Sequence, residues 1–72
     1  MSVDWRDVYS SHVNRVGFDP EAQELLAEWD SGRVSAYEGV PYEKFESVAR
    51  SWSVGKALHE MIKPSHTHRY VK

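Results

Sequence analysis

Ser10, Ser11 and His12 stand side by side, and His66-x-His68 lies downstream of His59. These are the residues of the chain whose types could do chemistry. A hydroxyl beside an imidazole is the raw material of a nucleophile and its base. Adjacency in sequence does not supply the geometry, however, and a triad also needs an orienting carboxylate and an oxyanion hole. Two imidazoles two residues apart in an extended segment share one side, and His59 could approach from a helix. Zinc needs three or four ligands at about 2 Å with outer-shell support, which two neighbouring histidines do not provide. The carboxylate pairs Asp4/Asp7 and Glu43/Glu46 read as surface or helix-start positions. The four glycines are isolated, so no phosphate-cradling loop is present. With no cysteine there is neither a thiolate nor a disulfide framework. The expectation is a protein with no catalytic residue, metal site or cofactor.

Binding chemistry is better represented. Residues 1–48 carry four basic and ten acidic side chains, whereas residues 49–72 carry five basic ones against Glu60 alone. A basic end on an acidic body is an electrostatic footprint for nucleic acid or an acidic protein surface. Lys56, Lys63, His66, His68, Arg69, Tyr70 and Lys72 form the candidate nucleic-acid set, with Tyr70 able to stack a base between the charges. Lys56 and Lys63 are two helical turns apart and so share a face. Near the other end, Val3, Trp5, Arg6 and Tyr9 form a candidate partner-binding patch, because Trp, Tyr and Arg dominate interface hot spots. The alternative for Trp5 is that it folds back and plugs the open face of a sheet. Phe18, Trp29, Tyr37, Phe45 and Trp52 fall where a core would want them.

Three extended runs and two helices would have to position these residues. Residues 12–18 read as a strand through Val13, Val16 and Phe18, with a bulge or twist near Gly17. Residues 24–30 alternate, Leu25, Ala27 and Trp29 on one side and Leu26, Glu28 and Asp30 on the other. Good helix formers at 21–28 compete with that reading. The turn at Asp30-Ser31-Gly32 and the extended run 33–38 decide it in favour of a hairpin. After Pro41 the period changes: Tyr42, Phe45, Val48 and Ala49 recur at helical spacing. Ser53 is placed to cap a second helix, whose stripe is Val54, Ala57, Leu58, Met61 and Ile62, and Pro64 stops it. Residues 65–72 form a basic tail that either frays or adds an edge strand through Tyr70 and Val71. The sum is a single α+β domain over residues 1–72, with an N-terminal arm at 1–9. Its two layers would be an antiparallel three- to four-stranded sheet and two helices. No apolar run approaches the ~20 residues that span a bilayer, so no membrane is involved. A monomer in the cytoplasm is expected.

Ser10-Ser11 with Val13, then Val16-Gly17-Phe18-Asp19, Leu25-x-Ala27-x-Trp29 and Gly32, then Tyr37, Val40-Pro41 and Phe45, followed by Ser53-x-Gly55-Lys56 and Ile62-Lys63, resembles the KTSC domain over residues 8–72. One position departs: the family's Tyr-x-Tyr aligns with Ser35-Ala36-Tyr37, which would halve any base-stacking platform built on that pair. The family occurs at the C-terminus of some lysyl-tRNA synthetases and as free-standing bacterial and phage proteins. The resemblance therefore implies a non-enzymatic module, with RNA binding as one role. In size and layout the chain is also similar to a small phage-type transcription regulator that binds bacterial RNA polymerase and inhibits initiation.

Overall fold

In a computed structural model, which describes residues 3–10 and 12–72, the strands are β1 (Asp4–Asp7), β2 (Val13–Asp19), β3 (Glu24–Trp29), β4 (Val34–Tyr37) and β5 (His68–Tyr70). Helix α1 (Tyr42–Ala49) follows β4. Helix α2 opens at Val54–Ala57 and widens into a π-helical segment, Leu58–Ile62, in which the Lys63 N–H donates to the Leu58 carbonyl. The strands form one antiparallel sheet in chain order, β1-β2-β3-β4-β5. Five strands replace the three or four expected, because the N-terminal arm and the basic tail each supply an edge. The tail takes the edge-strand option over His68–Tyr70, leaving Val71 outside the strand.

Local chemistry sets the turns. After β2 the Asp19 carboxylate accepts the N–H groups of Glu21 and Ala22, the bond pattern of an Asx turn. Between β3 and β4 Gly32 takes φ +93°, which a side chain would resist, and its N–H donates to the Trp29 carbonyl. The register irregularity of β2 lies between Val13 and Arg15, not at Gly17 as the sequence suggests. It keeps both Val13 and Val16 buried.

The core lies between the sheet and the helices. Val16, Phe18, Leu25, Ala27 and Tyr37 meet Phe45, Val48, Val54, Leu58 and Ile62, and the Phe18 and Phe45 rings are 5.3 Å apart. Within the helical stripe only Met61 is left exposed, the position where the wider π turn moves the face outward. Trp52 does not join the core. It lies in the α1–α2 connection and is 94% exposed.

On the opposite sheet face, Val3 and the Trp5 side chain of the edge strand β1 lie over Gly17. Gly17 points away from Val16 and Phe18, and a Cβ there would lie 2.6 Å from Val3 Cγ1 and 2.8 Å from the Trp5 ring. Trp5 therefore plugs the open face. The Arg15 guanidinium stacks 4.1 Å from its ring centre, while Arg15 Nε bonds the Glu28 carboxylate.

Candidate protein-docking surface

The connection between α1 and α2 is held by serines. The Ser51 N–H donates to the Val48 carbonyl, and the Ser51 hydroxyl accepts from the Ser53 N–H (3.1 Å) and reaches the Ser53 carbonyl (3.2 Å). Ser53 itself makes no side-chain cap. The expected cap comes from elsewhere in the chain: the Ser10 hydroxyl accepts the Gly55 N–H at 3.3 Å. That bond fixes the β1–β2 connection against the start of α2. Ser10 is preceded by Tyr9, and Gly55 follows Trp52 by three residues, so the two aromatics are brought to one surface.

Tyr9 is 98% exposed. It and Trp52 flank a groove of about 350 Å³, floored by Val8, Ala49 and Val54 with Asp7 beside them. On its other side Trp52 borders a second groove of about 370 Å³, shared with Lys56, Ala57, Glu60 and Met61. The chemistry is that of a bipartite apolar cleft with the Asp7 carboxylate at one end and the separate charges of Lys56 and Glu60 at the other. Protein segments, rather than small charged metabolites, fit such a surface.

The structure divides the Val3, Trp5, Arg6 and Tyr9 set. Val3 and Trp5 cover Gly17. Arg6 is on the helix side of β1, donating to both carboxylate oxygens of Glu46 (2.8 and 2.7 Å) and to the Tyr42 hydroxyl (3.1 Å). Its guanidinium also lies 5.1 Å from the centre of the Phe45 ring. The Arg6 guanidinium, then the Tyr42 hydroxyl, hold Glu46 down to about 2, well below the usual carboxylate range. Arg6 is thus a strap between β1 and α1, and only Tyr9 of the four stands free.

The basic set also separates. Lys56 borders the second Trp52 groove. Arg69 is bound by Glu24 (2.6 Å) and Glu38 (3.3 Å). His66 Nδ1 donates to the Glu38 carbonyl at 2.8 Å, which leaves Nε2 to accept from the Lys44 ammonium at 2.9 Å. His68 stacks on Tyr37 at 5.4 Å. His59 is exposed on the helix. No group of three or more potential metal-ligating side chains occurs among the described residues. His12 turns to Asp30, with 3.5 Å between Nδ1 and the carboxylate, while Ser11 lies outside the described residues.

Positions 35 and 37 face the interior. Tyr37 is 1% exposed, and burial pushes its hydroxyl up from the ordinary value. Ser35 is buried too and accepts the Trp29 indole N–H at 2.9 Å. The Tyr-x-Tyr positions are therefore core positions and present no stacking platform. Of the groove residues, Tyr9 and Lys56 belong to the two candidate sets, whereas Trp52 and Met61 are expected in the core and Val8 and Glu60 are missed as site residues. The available signal was a Trp between two serines in the gap between helices.

A five-stranded antiparallel sheet with both helices on one face, and an exposed aromatic pair where β1 and the helices meet, defines a small α+β domain. Comparison with known proteins places it. The KTSC domain model matches residues 9–66, and the chain belongs to the KTSC domain family. It is similar to an uncharacterized protein of Stutzerimonas stutzeri (strain A1501), 38% identical over 61 residues, covering 85% of this chain and 84% of that one. The fold is that of a KTSC domain protein from Yersinia pestis, whose crystal structure superposes with a TM-score of 0.89 at 22% identity, covering 99% of this chain and 100% of that one. Among the described residues no helix is long and apolar enough to cross a membrane.

Proposed function

We propose that the protein is a non-enzymatic interaction module that docks a protein partner across Tyr9 and Trp52. The observation that carries this reading is the near-complete exposure of two large aromatics on either side of a groove whose floor belongs to the core. Left in water, such rings forgo the burial that dominates the energetics of small domains, and paired aromatics over a preformed groove are the usual anchors of an interface. The partner in this reading is bacterial RNA polymerase. That choice follows the expectation, from size and layout, of a phage-type transcription regulator; the two relatives named above are from bacteria. Bound there, the module would occupy a surface that initiation factors need and inhibit initiation. RNA binding through the whole basic C-terminal segment is less favoured, since Arg69 and His66 are engaged within the protein.

Purified bacterial RNA polymerase passed over immobilised protein tests the reading, together with promoter-dependent transcription in vitro. Retention of the polymerase and fewer initiated transcripts are expected. Trp52→Ser and Tyr9→Ser should each weaken retention at least about tenfold while the fold persists. Absence of retention with transcription unchanged would remove RNA polymerase as the partner. Retention untouched by both substitutions would remove the docking surface.

A further inference from the structure

The cations of this chain fall into two groups. Arg6, Arg15, Arg50 and Arg69 each lie within 4 Å of a carboxylate, whereas Arg33, Lys44, Lys56, Lys63 and Lys72 have none that close among the described residues. Three of the second group converge on the helix side of β5. The Tyr70 ring, 57% exposed, carries the Arg33 guanidinium 4.9 Å from its centre. Tyr70 pairs in register with Ser35, whose hydroxyl holds the Trp29 indole, and the Lys63 ammonium lies 6.0 Å over that indole. His68, on the same side of β5, meets Tyr70 edge-on at 5.5 Å. The Lys72 carbonyl accepts the Val34 N–H, which places Lys72 next to Arg33 across the β4–β5 pair. The acidic neighbours of β5, Glu24 and Glu38, are taken up by Arg69, whose side chain points to the other sheet face.

Aromatic rings flanked by uncompensated cations have one ligand chemistry. Bases supply faces to stack on rings and guanidinium planes, and phosphates supply the charge. We propose that the helix side of β5 is a second binding site, which takes a short single-stranded nucleic acid. A base stacks on Tyr70, beside His68, and the flanking phosphates lie on Arg33, Lys63 and Lys72. This differs from the full basic tail: Arg69, His66 and Lys56 drop out, and Arg33 and Trp29 enter. It is also separate from the Trp52 surface, with which it shares no residue.

Fluorescence anisotropy with a labelled single-stranded RNA of about eight nucleotides tests it. Three phosphate contacts predict that the logarithm of the affinity falls with the logarithm of salt at a slope of about −2 between about 50 and 200 mM. Tyr70→Ala should weaken binding roughly 5- to 100-fold, and Tyr70→Phe should retain it, because stacking needs the ring and not the hydroxyl. Arg33→Gln and Lys63→Gln should each lower the slope by about 0.7, whereas Arg50→Gln, removing the same charge elsewhere, should not. A duplex of the same sequence, offering no free base face, should compete poorly. No binding at about 50 mM salt would overturn the proposal. So would equal losses for Arg50→Gln and Arg33→Gln with Tyr70→Ala unaffected, which would leave only diffuse charge. Trp52→Ser should bind the RNA as wild type does, so failure of the docking surface and failure of this site are read separately.

Discussion

The indole of Trp5 occupies the space that a side chain at Gly17 would need. The two residues are register partners across β1 and β2, so the arm is seated through a missing Cβ. Gly17→Ala should therefore destabilise the protein by about 1–3 kcal/mol, the range for overpacking. Urea denaturation of Gly17→Ala, Trp5→Ala and the double variant checks it. The alanine at 17 should cost less once the indole is gone, the remainder falling to Val3 Cγ1, and equal cost in both backgrounds would assign the clash to Val3 and not to the ring.

Acid should loosen the strap between β1 and α1. Glu46 has its folded value lowered from 4.5 to about 2 by Arg6 and Tyr42. A lowered carboxylate contributes its full stabilisation above its unfolded value and loses it as pH falls through the folded one. Stability should decline between about pH 4.5 and 2, and Glu46→Gln should flatten that decline. Carbon NMR of the Glu46 carboxyl should show a midpoint near the bottom of this range.

Ser10→Ala removes the hydroxyl that caps Gly55. A loss of about 1 kcal/mol is expected, as for other helix-start caps. Faster amide exchange at Gly55 than at residues of the sheet is the local sign to look for.

Ser35→Ala takes the acceptor from the Trp29 indole N–H. With that donor half-buried, about 1 kcal/mol should be lost, and the Trp29 indole proton should shift and exchange faster by NMR.

Trp52→Ser and Tyr9→Ser should leave the midpoint of urea unfolding within about 0.5 kcal/mol of wild type, since both rings are exposed. A larger loss would mean that the rings serve the fold and not a partner.

The central hairpins and both helices are legible in the sequence because period and turn chemistry agree there. Leu25, Ala27 and Trp29 alternate as a strand should, and Gly32 permits the turn that joins it to the next. β1 is illegible for a physical reason: Asp4–Asp7 is an edge strand whose one large ring covers a glycine on another strand, so no period of its own is imposed. Met61 is misplaced by any reading that assumes 3.6 residues per turn, because the helix widens there. Trp52 reads as core by type, but no spacing rule reaches the gap between two helices. The pairing of Tyr9 with Trp52 depends on a hydrogen bond between Ser10 and Gly55, and no local pattern carries that information.

The order of the sheet has a kinetic consequence. β1, β2 and β3 each pair with the next strand along the chain, across short connections, and loops of that kind close quickly. β5 alone must wait, because both helices lie between Tyr37 and its register partner His68. Four strands should zip as a unit and the fifth should dock last. The same edge should then be first to open in the native protein, releasing Tyr70 while the meander behind it stays intact.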